Sequence, residues 1–244
     1  MNTRCIKAIA ILATLTAAGA ATASPINVAY TGMGSGSNTR ITFGSTTLTT
    51  FTGQLKHNLT GGAGNASLFN GAQTAYCIDL AQRVTSNVST FEVVSPSVVT
   101  NLVSPTLGPA RAQAYTDLYS VFGSQAIAAN ASNDFGTAFQ MLAWEIMYDY
   151  NPSLGTSSLD LSAGTVRFTN ANGGALGSGI LTQYTMLLTS IGTNAAAIPG
   201  LVALQSARQQ DQLVYQNNVI PAPGAAALLG LSGLVLSRRR RSSH

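Results

Sequence analysis

The chain predicts an α+β fold, with antiparallel strands in its N-terminal part, a helical region after them and a last strand near the end. Three observations carry this. Short β-branched or alternating runs, broken by Gly, Ser and Asn clusters, fill the first part. Runs with apolar residues three and four apart fill the middle. Near the end, Leu213 and Tyr215 alternate with polar positions. Strands followed by helices imply segregated layers, not the βαβ alternation of a parallel sheet.

The strand runs are Ile26 to Tyr30, Arg40 to Phe43, Thr47 to Leu55 and Ser89 to Val94. Between them GMGSGSN and TGGAGN read as turns, because Gly and Asn tolerate the dihedrals that turns demand. GMGSG is not a nucleotide loop, since a strand pattern follows it where a helix would have to open. A further run, NASLFNGAQTAYCIDL, alternates toward Cys77, with Tyr76 and Ile78 flanking the cysteine. Pro109 to Phe122 carries Pro at its start and Gly123 after it, as helix ends prefer. The next helix is capped by Asn133 or Asp134 and ends before Asn151-Pro152. Its apolar stripe is Phe135, Phe139, Leu142, Ile146 and Tyr150. A third helix covers Gly179 to Ile191, and Leu201 to Tyr215 is read as the last strand. The chain shows no internal repeat.

The two ends read as targeting segments. Arg4 and Lys7 precede an apolar run from Ala8 to about Ala21, and Ala21-Thr22-Ala23 offers small residues for cleavage before Ser24. This is the pattern of a secretory signal peptide, residues 1–23, and its apolar run falls short of the roughly 20 residues of a bilayer span. Cys5 would leave with it. At the other end Pro221-Ala222-Pro223 is followed by an apolar run from Gly224 to Leu236 and by Arg238 to Arg241. These three parts in this order resemble the sorting tail of the PEP-CTERM family, with Ala222 where that family most often has glutamate. The resemblance implies a tail at 219–244 that pauses in the inner membrane and is processed by an exosortase-type enzyme. The arginine block would stay on the cytoplasmic side. The expected location is the cell envelope, outer surface or extracellular matrix.

Removing the ends leaves about 195 residues, 24–218, enough for one domain with its own core. It also reverses the charge argument. The chain holds 12 basic and 8 acidic residues, but six of the basic ones are Arg4, Lys7 and Arg238 to Arg241. The body is therefore slightly acidic, with no basic patch, and nucleic acid is not an expected partner.

Cys77 is the one cysteine of that body. A disulfide has no second cysteine within that body to use. A metal site would need several ligands, and the two histidines, His57 and His244, have no zinc spacing; neither a metal nor a cofactor is expected. A cysteine hydrolase would need a histidine within hydrogen-bond reach of the thiol, and His57 in KHNLT is the only candidate in the body. One further role needs no histidine: a thiol can displace ammonia from a glutamine side chain and form an internal thioester. Gln140 in TAFQMLAWEIMYD offers that amide. Gln140 and Trp144 are four apart, so both project from one face of the helix, distinct from the Phe139, Leu142, Ile146 stripe.

TAYCIDL followed by FQMLAWEI resembles the bacterial thioester domain of surface adhesins, which pairs a cysteine after an aromatic residue with a glutamine in a Gln-x-x-x-Trp helix. The resemblance implies a Cys77–Gln140 bond, with Trp144 sheltering it from water and Tyr76 as the preceding aromatic residue. Asp79 and Glu145 would be supporting carboxylates able to relay protons. The implied role is covalent attachment to an amine or hydroxyl on a surface protein or polysaccharide. That event happens once per molecule and is not enzymatic turnover. The alternatives are a structural matrix protein with an inert Cys77, and a secreted hydrolase using Cys77 and His57.

Overall fold

The computed structural model describes residues 23–99 and 106–217. The signal-peptide reading, Ala23 apart, and the sorting-tail reading lie outside these residues. Seven strands are present: β1 (Ser24–Phe43), β2 (Thr46–Thr60), β3 (Gly71–Cys77), β4 (Ser89–Val94), β5 (Val166–Asn170), β6 (Leu201–Gln205) and β7 (Gln212–Tyr215). Between β4 and β6 come three helices, α1 (Gly108–Ile127), α2 (Asn133–Tyr148) and α3 (Ser178–Leu188), with β5 preceding α3. The fold is α+β, as the order of patterns predicts.

The strands form one antiparallel sheet in the order β2-β3-β7-β6-β4-β1-β5, and β1 also pairs with β2. That last pairing closes six strands into a barrel and leaves β5 outside it. Every pairing is antiparallel. Closure removes the exposed edges that an open sheet would present. The barrel interior is apolar, and all six strands supply it: Ile26 and Val28, Leu59, Ala75, Phe91 and Val93, Leu204, and Val214. Ala66 and Phe69, on a 3-10 turn between β2 and β3, join the same cluster.

The larger core lies between the barrel and the helices. α2 packs against β1, β2, β3, β5, α1 and α3. Fourteen of its residues, Phe135 to Tyr148, are buried. A helix apolar on all sides has to be covered on all sides. Tyr76 of β3 meets the Phe139 ring at 4.5 Å, and Tyr119 of α1 meets the same ring edge-on at 5.1 Å. These contacts fix α2 across the outer face of the barrel.

Several local expectations are corrected. GMGSGSN is not a turn. It lies inside β1, which runs unbroken past two register shifts against β2, at Tyr30/Gly32 and Met33/Gly36. Glycine is needed here for closeness: a Cβ on Gly36 would strike the Thr52 carbonyl oxygen, and one on Gly53 the Ser35 carbonyl. The start of NASLFNGAQTAYC is the 3-10 turn, not strand. α1 does not stop at Gly123, because that glycine serves packing: a Cβ there would lie 2.6 Å from the Tyr215 ring. The α2 cap is Ser132, whose Oγ accepts the Phe135 N–H at 3.1 Å, in place of Asn133 or Asp134. Leu201 to Tyr215 is two strands, β6 and β7, joined through residues 206–211. β5 was not anticipated at all. Among the described residues no helix is long and apolar enough to cross a membrane.

The seating of α2 on β1 rests on small atoms. Ser35 donates its hydroxyl to the Ala131 carbonyl at 2.6 Å, and Asn133 accepts the Gly36 N–H at 3.2 Å. A Cβ on Gly136 would strike the Ser35 carbonyl oxygen. Gly136→Ala is therefore expected to destabilise the fold by about 1–3 kcal/mol through overpacking, despite alanine's better helix propensity. Urea denaturation of the two proteins measures it, and a more stable variant would contradict this packing.

Candidate functional site

β3 ends at Cys77, on the barrel rim beneath α2. The N–H and carbonyl of Cys77 both meet one side chain. Gln140 Oε1 accepts the Cys77 N–H at 2.9 Å, and Gln140 Nε2 donates to the Cys77 carbonyl at 2.7 Å. Gln140 is 1% exposed, so an amide without partners there would cost about 1–3 kcal/mol for each group left unsatisfied. The paired bonds hold the amide carbon of Gln140 within a side chain's length of Cys77 Cα. The thiol itself donates to Gln210 Oε1 at 2.9 Å. Gln210 is fastened in turn, its Nε2 donating to the Asp79 carbonyl. Two glutamines from distant segments therefore converge on one cysteine.

Cys77, Gln140, Trp144 and Gln210 line a common cleft of about 460 Å³. Its walls include Tyr30 and Phe51, both partly buried, and its rim the exposed Met33, Thr49 and Arg83. Trp144 is 2% exposed and stacks on Phe168 of β5, with ring centroids 6.2 Å apart. Trp144 thus sits in the cleft wall next to Gln140, as the spacing of four predicts.

The supporting residues divide. Tyr76 packs on α2 and donates its hydroxyl to the Ala126 carbonyl at 3.0 Å; it positions β3 and is not in the cleft lining. Asp79 is buried two residues past Cys77, and its Oδ1 accepts the Ala81 N–H at 2.7 Å. Glu145 is buried but does not line the cleft. Its charged neighbours are Asp149 and Asp160, and it bears on Tyr184 of α3. Gln140 and Glu145 are five apart on α2, so they leave the helix in different directions.

Burial, then the charge of Asp79, pushes the Cys77 thiol well above its ordinary value, so it is protonated at neutral pH. Asp211, whose Oδ1 accepts the Ser206 N–H at 2.8 Å, rises to about 7 through burial, with Asp79 adding to the rise and the Ser206 bond opposing it. His57 is not placed as a base for Cys77. The strand register sets it opposite Gln73, four residues along β3 from the cysteine. Its ring lies 5.7 Å from that of Tyr30, and burial drops its pKa to about 4, with Gln212 opposing weakly. Among the described residues no cluster of His, Cys, Asp and Glu is arranged to hold a metal ion.

Gln210 was not picked out from sequence. It lies in SARQQDQL, where nothing distinguishes it from Gln209 or Gln212. Only the β6–β7 hairpin brings it to the thiol. Comparison with protein-family models, with curated proteins and with solved structures found no match to this chain.

Glu145 makes a pH prediction. Burial first, with Asp149 and Asp160 adding, raises its pKa from 4.5 to about 9. Between those values the folded state holds a proton that the unfolded chain has lost, so stability falls as pH rises through that window. Glu145→Gln removes the effect. Its melting temperature is expected to exceed that of the parent by several degrees at pH 8, and the gap to close toward pH 4. A gap that stays constant across that range, by scanning calorimetry, would contradict the assignment.

Proposed function

We propose that Cys77 and Gln140 form an internal thioester through which this exported protein attaches covalently to a surface nucleophile. The supporting observation is the pairing of the Gln140 amide with both main-chain groups of Cys77, which brings that amide to the cysteine without further folding. In formation, Sγ bonds to the Gln140 amide carbon, the C–N bond breaks, and ammonia leaves carrying the thiol proton. The sulfur has to leave Gln210 to do so. Forming the bond removes Nε2 and costs the Cys77 carbonyl its donor, about 1–3 kcal/mol. The activated acyl group stores reactivity against that cost. In attachment, an amine or hydroxyl attacks the same carbon, the C–S bond breaks, and Cys77 returns as a thiol. Covalent capture frees attachment from any noncovalent off-rate. Trp144 and the buried floor keep bulk water from the acyl carbon.

Under the same proposal the two ends, which resemble a signal peptide and a PEP-CTERM tail, support a location in the cell envelope or matrix. An exosortase-type enzyme would be the processing partner. A second reading is favoured by one specific observation: both polar atoms of the Gln140 amide are already hydrogen-bonded to Cys77 as they stand. In that reading Gln140 is a clamp joining α2 to β3, and the protein is a structural matrix component with an inert cysteine.

Intact-mass measurement separates the two. The thioester predicts a native protein lighter by one ammonia than its sequence, a thiol closed to alkylation, and methylamine uptake that frees that thiol. Cys77→Ser and Gln140→Ala should each restore full mass and abolish uptake. Full mass and a freely alkylated thiol in the folded parent would leave only the clamp.

A further inference from the structure

Two residues of the cleft lining carry buried polar atoms without partners, and their chemistry bears on the acceptor. Trp144 is one of the residues lining the cleft, and its buried Nε1 has no hydrogen-bond acceptor among the described residues. Gln82 Oε1, in the same lining, is buried with no donor, while the Gln82 Nε2 is engaged by the Ala207 carbonyl at 3.2 Å. A buried polar atom left without a partner costs free energy that a ligand can recover. One orphan is a donor and the other an acceptor. A hydroxyl is both at once, whereas an amine arrives as an ammonium that only donates and has to lose a proton before it can accept from the indole N–H or attack.

Charge and shape agree with this. Among the described residues lining the cleft there is no carboxylate, and the one charged side chain is Arg83, exposed at the rim. Such a rim repels a lysine side chain, which at neutral pH arrives protonated. The partly buried rings of Tyr30 and Phe51 offer apolar faces, and Thr49, Thr85 and Ser86 offer neutral hydroxyls. Apolar rings among neutral hydrogen-bonding groups suit a sugar, which has apolar C–H faces edged by hydroxyls.

We infer that the acceptor is a hydroxyl of a neutral or acidic glycan and that the linkage formed is an ester. This rests on the thioester reading and narrows it. The glycan oxygen bonds to the Gln140 acyl carbon, the C–S bond breaks, and the hydroxyl proton passes to the Cys77 sulfur. Nothing is oxidised or reduced. A buried thiolate next to Asp79 is strongly basic, which suits it to take a proton from a hydroxyl.

The test uses the full chain, purified with its ammonia deficit verified by mass. It is incubated with maltoheptaose or with Nα-acetyl-lysine methylamide at equal concentration near pH 7.5, and adducts are measured by intact mass before and after alkaline hydroxylamine. The expected result is a maltoheptaose adduct that hydroxylamine removes, formed faster than the hydroxylamine-resistant lysine adduct. Trp144→Phe keeps the ring and removes the N–H. Counting only molecules that retain the deficit, its ratio of glycan to lysine capture should fall by roughly three- to tenfold. Lysine capture equal to or faster than glycan capture, or a ratio unmoved by Trp144→Phe, overturns the glycan assignment while the thioester stands. Absence of the ammonia deficit in the parent overturns both.

Discussion

One side-chain amide ties the helical layer to the barrel. Gln140 answers the N–H and the carbonyl of Cys77 together, at the point where β3 ends. A strand that stops at a barrel rim leaves main-chain groups that water would normally satisfy, and here α2 covers them. Once the helix excludes water, a side chain able to donate and accept at once becomes obligatory. Glutamine meets that need, and its reach from a central helix position does so without bending the helix. The same pairing that satisfies the backbone also brings the Gln140 amide to Cys77, the contact on which the proposed thioester rests. Under the proposal, one contact serves both the packing of the helix and the reaction.

The rest of the molecule serves to keep α2 in register. The close crossing at Ser35, Gly36 and Gly136 lets the helix start touch the bulged part of β1. Gln54 of β2 reaches out to the end of α1, with Nε2 donating to the Ala126 carbonyl at 2.8 Å and to that of Ala128 at 3.1 Å. Its Oε1 accepts the Ser35 N–H at 3.1 Å, so one buried amide joins two strands and a helix. Asp117 does similar work behind α1, accepting the Gly192 and Ala195 N–H groups at 2.8 Å each. A chain poor in charge thus fastens its layers with buried amides and carboxylates bonded to backbone.

The electrostatics of the site follow from that dryness. The thiol is held protonated by burial and by Asp79, and Asp211 lies nearby with a raised pKa. Such a pocket suppresses stray reactivity of the cysteine. It also strengthens hydrogen bonds to any ligand atom that replaces water there.

The strand, helix and strand segregation was legible in the residues, because apolar period depends on neighbours within one element. Ser89–Val94 and the start of α2 follow directly from local pattern. Cys77, Gln140 and Trp144 could be singled out for the same reason: a lone thiol, and a Gln and Trp one helical turn apart, are visible without a fold. Barrel closure, the placement of Glu145 away from the cleft and the arrival of Gln210 at the sulfur were not visible. They depend on pairings between segments far apart in the chain, such as β1 with β4 and β3 with β7. Gly123 and the GMGSG stretch show the limit most plainly. Glycine in isolation signals a break, yet here it marks close approach, and only the partner on the other side, a Tyr215 ring or a Thr52 carbonyl, decides which.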